Sequence, residues 1–231
     1  MPTVQVNDIS IYYEIHGEGP PVVLVCGLGG GSESYTQIIE PLAKSHRVLA
    51  FDNRGAGRSD KPRTPNSIEL MASDTAGLME AAGFDRASIL GISMGGRIAL
   101  ALALARPEMV EKLVLVSTSA RSGGGNWWMR ILGLVPTLPI LGGKYRQPHY
   151  AQVRQREASR SFDCSDRLSE IHCPVVIMHG RQDRVIPFQL AQELHAGIAG
   201  STMIPFDGGH MFMFMGERQR FVETALAALG D

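Results

Sequence analysis

The residues Gly91-Ile92-Ser93-Met94-Gly95 place a potential nucleophile between glycines two positions to either side. An apolar run over residues 87–92 reads as a strand, and residues 95–106 read as a helix. A serine on a sharp strand-to-helix turn holds its hydroxyl out beyond the sheet edge, and side chains in place of the flanking glycines would collide where the chain crosses itself. The N-terminus of the following helix favours negative charge developing at that serine. A glycine-rich turn with an inert serine is the bland alternative. The strand–turn–helix context favours Ser93 as nucleophile.

A serine hydroxyl is a weak nucleophile and needs a base. The chain has seven histidines: His16, His46, His149, His172, His179, His195 and His210. On such an elbow the partners follow in the order acid, then histidine, the latter after the last strand. Gly208-Gly209-His210 follows the expected strand 202–206 and makes His210 the candidate base. His179 is expected to pack structurally, and the other five to lie on surfaces. The acid that orients the base should end a strand between Ser93 and His210, and Asp183 fits. Ser117-Thr118-Ser119 offers no carboxylate, Asp163 and Asp166 are expected to be solvated, and Asp207 is too near His210 in sequence. The oxyanion needs two backbone N–H donors, one after the nucleophile and one from the early glycine loop, so Met94 and Leu28 are the candidates. The run Gly29-Gly30-Gly31 lacks the spacing of a dinucleotide fingerprint and the lysine of a Walker loop.

The elements that must hold these residues alternate. Strands are expected at 4–6, 9–15, 22–26, 47–51, 87–92, 113–116, 175–178 and 202–206. Helices are expected at 37–43, 67–82, 95–106, 188–196 and 217–229. The segment Ile98-Ala99-Leu100-Ala101-Leu102-Ala103-Leu104-Ala105 alternates like a strand, but Ala and Leu are strong helix formers, and a helix apolar all round is a buried one. This order implies an α/β fold, a mostly parallel central sheet flanked by helices on both faces. The rhythm fails over residues 121–167, which read as a lid insertion within a single domain, 1–231. Its Trp127, Trp128 and Leu132, with Met211 beside the proposed base, could line an apolar acyl pocket. Packing of these residues onto the sheet, a homodimer interface or loose membrane contact are the alternatives.

Hydrophobic residues make up 44% of the chain, enough for a large core, and the net charge of −1 gives no long-range attraction for nucleic acid. The N-terminus lacks a signal-peptide pattern, no apolar stretch reaches the length needed to span a bilayer, and three sparse cysteines give neither a disulfide framework nor a zinc site. A cytoplasmic location without stable membrane insertion is expected.

Together these segments, over nearly the whole chain, resemble the α/β-hydrolase superfamily, and small carboxylesterases and 3-oxoadipate enol-lactonases most of all. Asp52-Asn53-Arg54-Gly55-Ala56-Gly57-Arg58-Ser59 is similar to that family's structural Asp-x-Arg-Gly-x-Gly-x-Ser turn. Cys26-Gly27 stands where the family usually has His-Gly. The resemblance implies hydrolysis of a small, rather apolar carboxylic ester or lactone through an acyl-enzyme, with no metal or organic cofactor. Carbon–carbon bond hydrolysis or perhydrolase-type activity on the same three residues, and a non-catalytic small-ligand receptor, are the alternative readings.

Overall fold

Continuous apolar runs rich in Val, Ile and Leu form the centre of an eight-stranded sheet. The computed structural model describes residues 2–123, 145 and 147–230. The strands are β1 (Thr3–Val6), β2 (Ile9–His16), β3 (Pro21–Val25), β4 (Arg47–Phe51), β5 (Ala87–Ile92), β6 (Val110–Val116), β7 (Val175–Gly180) and β8 (Thr202–Phe206). Their order is β1-β2-β4-β3-β5-β6-β7-β8. Asn7, at φ 51°, turns the β1–β2 hairpin; β2 runs antiparallel to β4, and the strands from β4 to β8 are parallel. The described helices are α1 (Thr36–Leu42), α2 (Ile68–Ala81), α3 (Met94–Ala105), α4 (His149–Ser161), α5 (Phe188–Gly197) and α6 (Arg218–Leu229). Most expected boundaries differ from these by one or two residues. β6 begins three residues earlier than expected, and α4 lies inside the segment expected to be a lid.

Period-two alternation along the strands divides the core into two layers. Val23, Val25, Ile89 and Leu115 face one side, with Met71 and Leu78 of α2 and Ile98 and Leu102 of α3. Val22, Leu24, Leu90 and Val114 face the other, with Ile38 and Leu42 of α1 and Phe221 and Ala225 of α6. The Ala–Leu segment is helical, as propensity requires, and α3 is buried from Met94 to Ala103. Ser67 caps α2, its hydroxyl accepting the Leu70 amide at 3.0 Å. Among the described residues no helix is long and apolar enough to cross a membrane, and no cluster of His, Cys, Asp and Glu could hold a metal ion.

A buried ion pair ties the turn after β4 to α2. Arg54 is 1% exposed; its Nη2 donates to Asp74 Oδ1 at 2.8 Å and to Asp8 Oδ1 at 2.9 Å, and its Nε donates to Asp74 Oδ2. Removing one partner of a buried pair leaves a charge without compensation, at about 3–5 kcal/mol. Asp74→Ala is therefore expected to destabilise the fold by that amount in urea unfolding. A loss below about 1 kcal/mol, the size of an exposed pair, would mean that half-exposed Asp8 compensates alone.

Candidate active site

Ser93 joins β5 directly to α3, and its backbone shows the cost of that junction. Its φ of 56° and ψ of −117° are strained for a residue with a side chain. The strain is held in place from three directions. Ser93 N donates to Val116 O at 2.8 Å, while Ser93 O accepts from Gly96 N at 3.0 Å and from Thr118 Oγ1 at 2.7 Å. The flanking glycines are required by contact: a Cβ at Gly91 would lie 2.6 Å from Gly95 O, and one at Gly95 would lie 2.0 Å from Val25 O.

The structure brings Ser93, His210 and Asp183 into one hydrogen-bonded chain. Ser93 Oγ lies 3.0 Å from His210 Nε2, and His210 Nδ1 lies 2.7 Å from Asp183 Oδ2. Asp183 Oδ1 accepts the amides of Val185 at 2.8 Å and Ile186 at 2.9 Å. Burial pushes the Asp183 carboxyl up, but hydrogen bonds from His179 and His210, the His210 charge and the Ile186 amide outweigh it and hold the group well below the usual carboxylate range. The loops carrying Asp183 and His210 meet at Gly180, where a Cβ would lie 2.3 Å from Gly208 O. Ser117 Oγ donates to His210 O at 3.0 Å. Ser117 and Thr118 thus brace the His210 loop and the Ser93 turn by hydroxyl contacts although they carry no carboxylate.

The glycine loop after β3 passes beside the serine: a Cβ at Gly27 would lie 3.4 Å from Ser93 Cβ. Most of its amides are engaged. Gly27 N donates to Tyr35 OH at 2.9 Å, Gly29 N to Gln155 Oε1 at 3.0 Å and Gly30 N to Gly27 O at 3.1 Å. Leu28 N has no acceptor among the described residues. Met94 is the first residue of α3, so its N–H has no acceptor within the helix. Asn53 Nδ2 donates to Cys26 O at 3.1 Å, and the Asp52 carboxylate accepts the amides of Ser32 and Arg58, each at 2.7 Å. The Asp52–Ser59 turn therefore supports the glycine loop. Cys26 is fully buried, and burial followed by the Asp52 charge raises its thiol well above the usual range, so it stays neutral.

Other sequence expectations meet different outcomes. Asp207 is exposed and 3.8 Å from Arg181, and Asp163 is exposed against Ser165. His46 was expected on the surface. It is instead 1% exposed, with Nδ1 2.9 Å from Ser45 Oγ and Nε2 3.1 Å from Gly230 O, because its ring joins the end of α1 to the end of α6. His179 is wholly buried, as expected of a packed residue, but it also stands 3.3 Å from Asp183 Oδ2. Of the apolar candidates, Met211 is half-buried beside His210, and Trp127, Trp128 and Leu132 lie outside the described residues. Phe212 and Met213, next along from Met211, belong to the core. Sequence reasoning missed Tyr35 and Gln155; an aromatic hydroxyl and an amide on a helix carry no motif.

Comparison with known proteins agrees with this fold. Residues 20–139 match the family model of the α/β hydrolase fold, and the chain belongs to that family of hydrolases. RutD of Azorhizobium caulinodans, a protein named as a carbamate hydrolase, is 30% identical over 246 residues, covering 92% of each chain. The enol-lactonase from Burkholderia xenovorans LB400 superposes with a TM-score of 0.86 at 25% identity, covering 100% of both chains. An esterase from Exiguobacterium antarcticum superposes with a TM-score of 0.85 at 27% identity, covering 98% of both.

The glycine crossing can be tested without an assay of function. Gly95→Ala drives a methyl group into the β3 backbone, and the expected cost is about 3 kcal/mol or more, at or beyond the upper end for overpacking. Circular dichroism melting and soluble yield measure it. Parent-like stability would show that β3 and α3 can separate.

Proposed function

We propose that this hydrolase cleaves a small, rather apolar carboxylic ester or lactone through an acyl-enzyme, with Ser93 as nucleophile, His210 as base and Asp183 as the orienting acid. The observation that carries the proposal is the unbroken series of contacts from Ser93 Oγ to His210 Nε2 at 3.0 Å and from His210 Nδ1 to Asp183 Oδ2 at 2.7 Å. As Ser93 Oγ attacks the carbonyl carbon, His210 Nε2 takes its proton, and the ionised Asp183 stabilises the resulting imidazolium. The carbonyl oxygen becomes an oxyanion held by the Leu28 and Met94 amides. Collapse of the tetrahedral species expels the alcohol, which receives the proton from His210. Water, deprotonated by His210, then attacks the acyl-enzyme and releases the acid and Ser93. In a lactone the alcohol remains joined to the acyl group, so ring opening gives one product. Trp127, Trp128, Leu132 and Met211 are the residues proposed for the apolar side of the pocket.

The likeness to RutD favours a second reading, carbamate hydrolysis by the same steps with a carbamoyl-enzyme as the intermediate. Short p-nitrophenyl esters, lactones and p-nitrophenyl carbamates, compared by kcat/KM, separate the two readings. Ser93→Ala is expected to lower turnover of the preferred substrate by several orders of magnitude, up to about 10⁶. Turnover unchanged by that substitution would remove Ser93 from the mechanism.

A further inference from the structure

Asp183 faces two imidazoles. His210 Nδ1 lies 2.7 Å from Oδ2. From the opposite side, His179 Nε2 lies 3.3 Å from the same oxygen and 2.9 Å from Ile186 O. His179 sits in β7, four residues before Asp183, with a wholly buried side chain and its ring edge-on to Phe188 at 6.0 Å between centroids. Both atoms facing Nε2 are acceptors, so this nitrogen carries the proton, hydrogen-bonded to Ile186 O with Asp183 Oδ2 as the longer contact. Nδ1 is buried without a partner among the described residues. An imidazolium would add a second buried N–H with no acceptor, so the ring is the neutral Nε2–H tautomer.

The carboxylate of Asp183 then accepts three N–H hydrogen bonds, from Val185 and Ile186 on Oδ1 and from His210 on Oδ2, with His179 Nε2 a longer contact 3.3 Å from Oδ2. A carboxylate offers about four lone-pair sites, so the His179 contact adds to these three hydrogen bonds without displacing one. Ile186 closes the arrangement, because its N–H binds Asp183 while its carbonyl binds His179. The turn that carries Asp183 is therefore clasped to β7 by the His179 ring.

We propose that His179 is a positioning residue for the hydrolytic reaction, its Nε2–H holding Asp183 Oδ2 in line with His210 Nδ1 and limiting how tightly the carboxylate grips the His210 imidazolium. This rests on the reading of Ser93 and His210 given above. Each donor to the carboxylate shares its charge. Removing His179 as a donor frees the carboxylate to swing, which lowers kcat. It also leaves more of the carboxylate charge to the His210 imidazolium. The neighbouring charges that bear on this balance are Arg181 and Asp207, exposed and 3.8 Å apart, and exposed Arg184. Ser93 faces His210 from the start of α3, and the uncharged Phe188 ring faces His179 from α5.

The experiment compares His179→Phe, His179→Gln and Ser93→Ala with the parent, reading kcat and KM for p-nitrophenyl acetate against pH. Rates are normalised to the sites labelled by a fluorophosphonate, so losses of folded protein drop out; Ser93→Ala is normalised to folded protein instead. His179→Phe keeps an aromatic ring and loses the donor. It is expected to lower kcat about 10–100-fold, the worth of a hydrogen bond to a charged group, with KM little changed. The acid limb of kcat/KM should move to higher pH. His179→Gln, whose amide nitrogen reaches the Nε2 position, should restore most of the rate and the parent profile. A merely structural role would lower thermal stability in both variants and leave the acid limb in place.

Parent rate and profile in His179→Phe, with Ser93→Ala inactive, overturn the positioning role alone. Full activity in Ser93→Ala overturns both readings. Should His179→Phe not fold, His179→Asn takes its place, because its amide nitrogen reaches only the Nδ1 position. Equal rates and profiles for Asn and Gln at this position would then overturn the proposal.

Discussion

The crossing of α3 over the end of β3 is the constraint on which the rest of the site depends. Gly95 lies so close to Val25 O that no side chain fits, and that approach forces the single residue between β5 and α3 into positive φ. Such a conformation costs of order 1–3 kcal/mol. It persists because the β6 end over-determines it: Val116 O and Thr118 Oγ1 take up the Ser93 amide and carbonyl. The serine hydroxyl is thus aimed by backbone geometry, and helical order begins at the next residue, Met94, whose N–H has no acceptor within the helix.

Parallel strands bring the remaining groups to the same place. β5, β7 and β8 run in one direction, so their C-terminal ends, at Ile92, Gly180 and Phe206, lie on one edge of the sheet. Ligands of open α/β sheets bind outside that edge for the same reason. Asp183 and His210 follow two of those ends, and the Gly180–Gly208 approach sets their loops side by side. Helix α4 reaches the opposite side of the site. Gln155, fully buried, accepts from Gly29 N and donates to Arg54 O at 2.8 Å, so one side chain joins the glycine loop to the turn after β4. Arg97 of α3 is buried with no carboxylate in ion-pair contact among the described residues. Burial lowers it to about 10, and its donors go to Ser119 Oγ and Arg121 O on one side and to Ser159 on the other. Helix α3 is thereby tied to both flanks of the segment between β6 and β7.

What was legible in the sequence is what local physics writes locally. Glycines at fixed offsets from Ser93 mark a tight crossing, β-branched runs mark buried strands, and Ala–Leu propensity overrides a misleading alternation in α3. The chain order of Ser93, Asp183 and His210 made them legible as candidates, since strand ends could be counted. The contacts that support them were not legible. Tyr35 holds Gly27 across eight residues, Gln155 holds Gly29 across 126, and His46 holds Gly230 across 184. A side chain that satisfies a distant backbone group leaves no periodicity, and its residue type alone does not tell it from a surface residue. His179 shows the limit most plainly: its packing could be anticipated, but its second acceptor depends on a turn that folds back four residues later.

The same contrast explains how the site divides rigidity from exposure. Asp183 is buried and saturated with donors, Ser93 is clamped through its own backbone, and both are fixed independently of each other. His210 alone bridges them, with its side chain 15% exposed and its backbone carbonyl held by Ser117 Oγ. In the proposed reaction it takes a proton from one partner and passes it on to another, which needs two fixed neighbours and some freedom of its own. Fixing the carboxylate through three N–H hydrogen bonds and the His179 contact makes it a steady electrostatic partner rather than a competing base. In the proposed reaction, proton traffic therefore stays between the imidazole, the serine and whatever oxygen occupies the space beside them. The depressed Asp183 carboxyl and the half-buried histidine are two consequences of one design, in which the sheet edge supplies position and the loops supply donors.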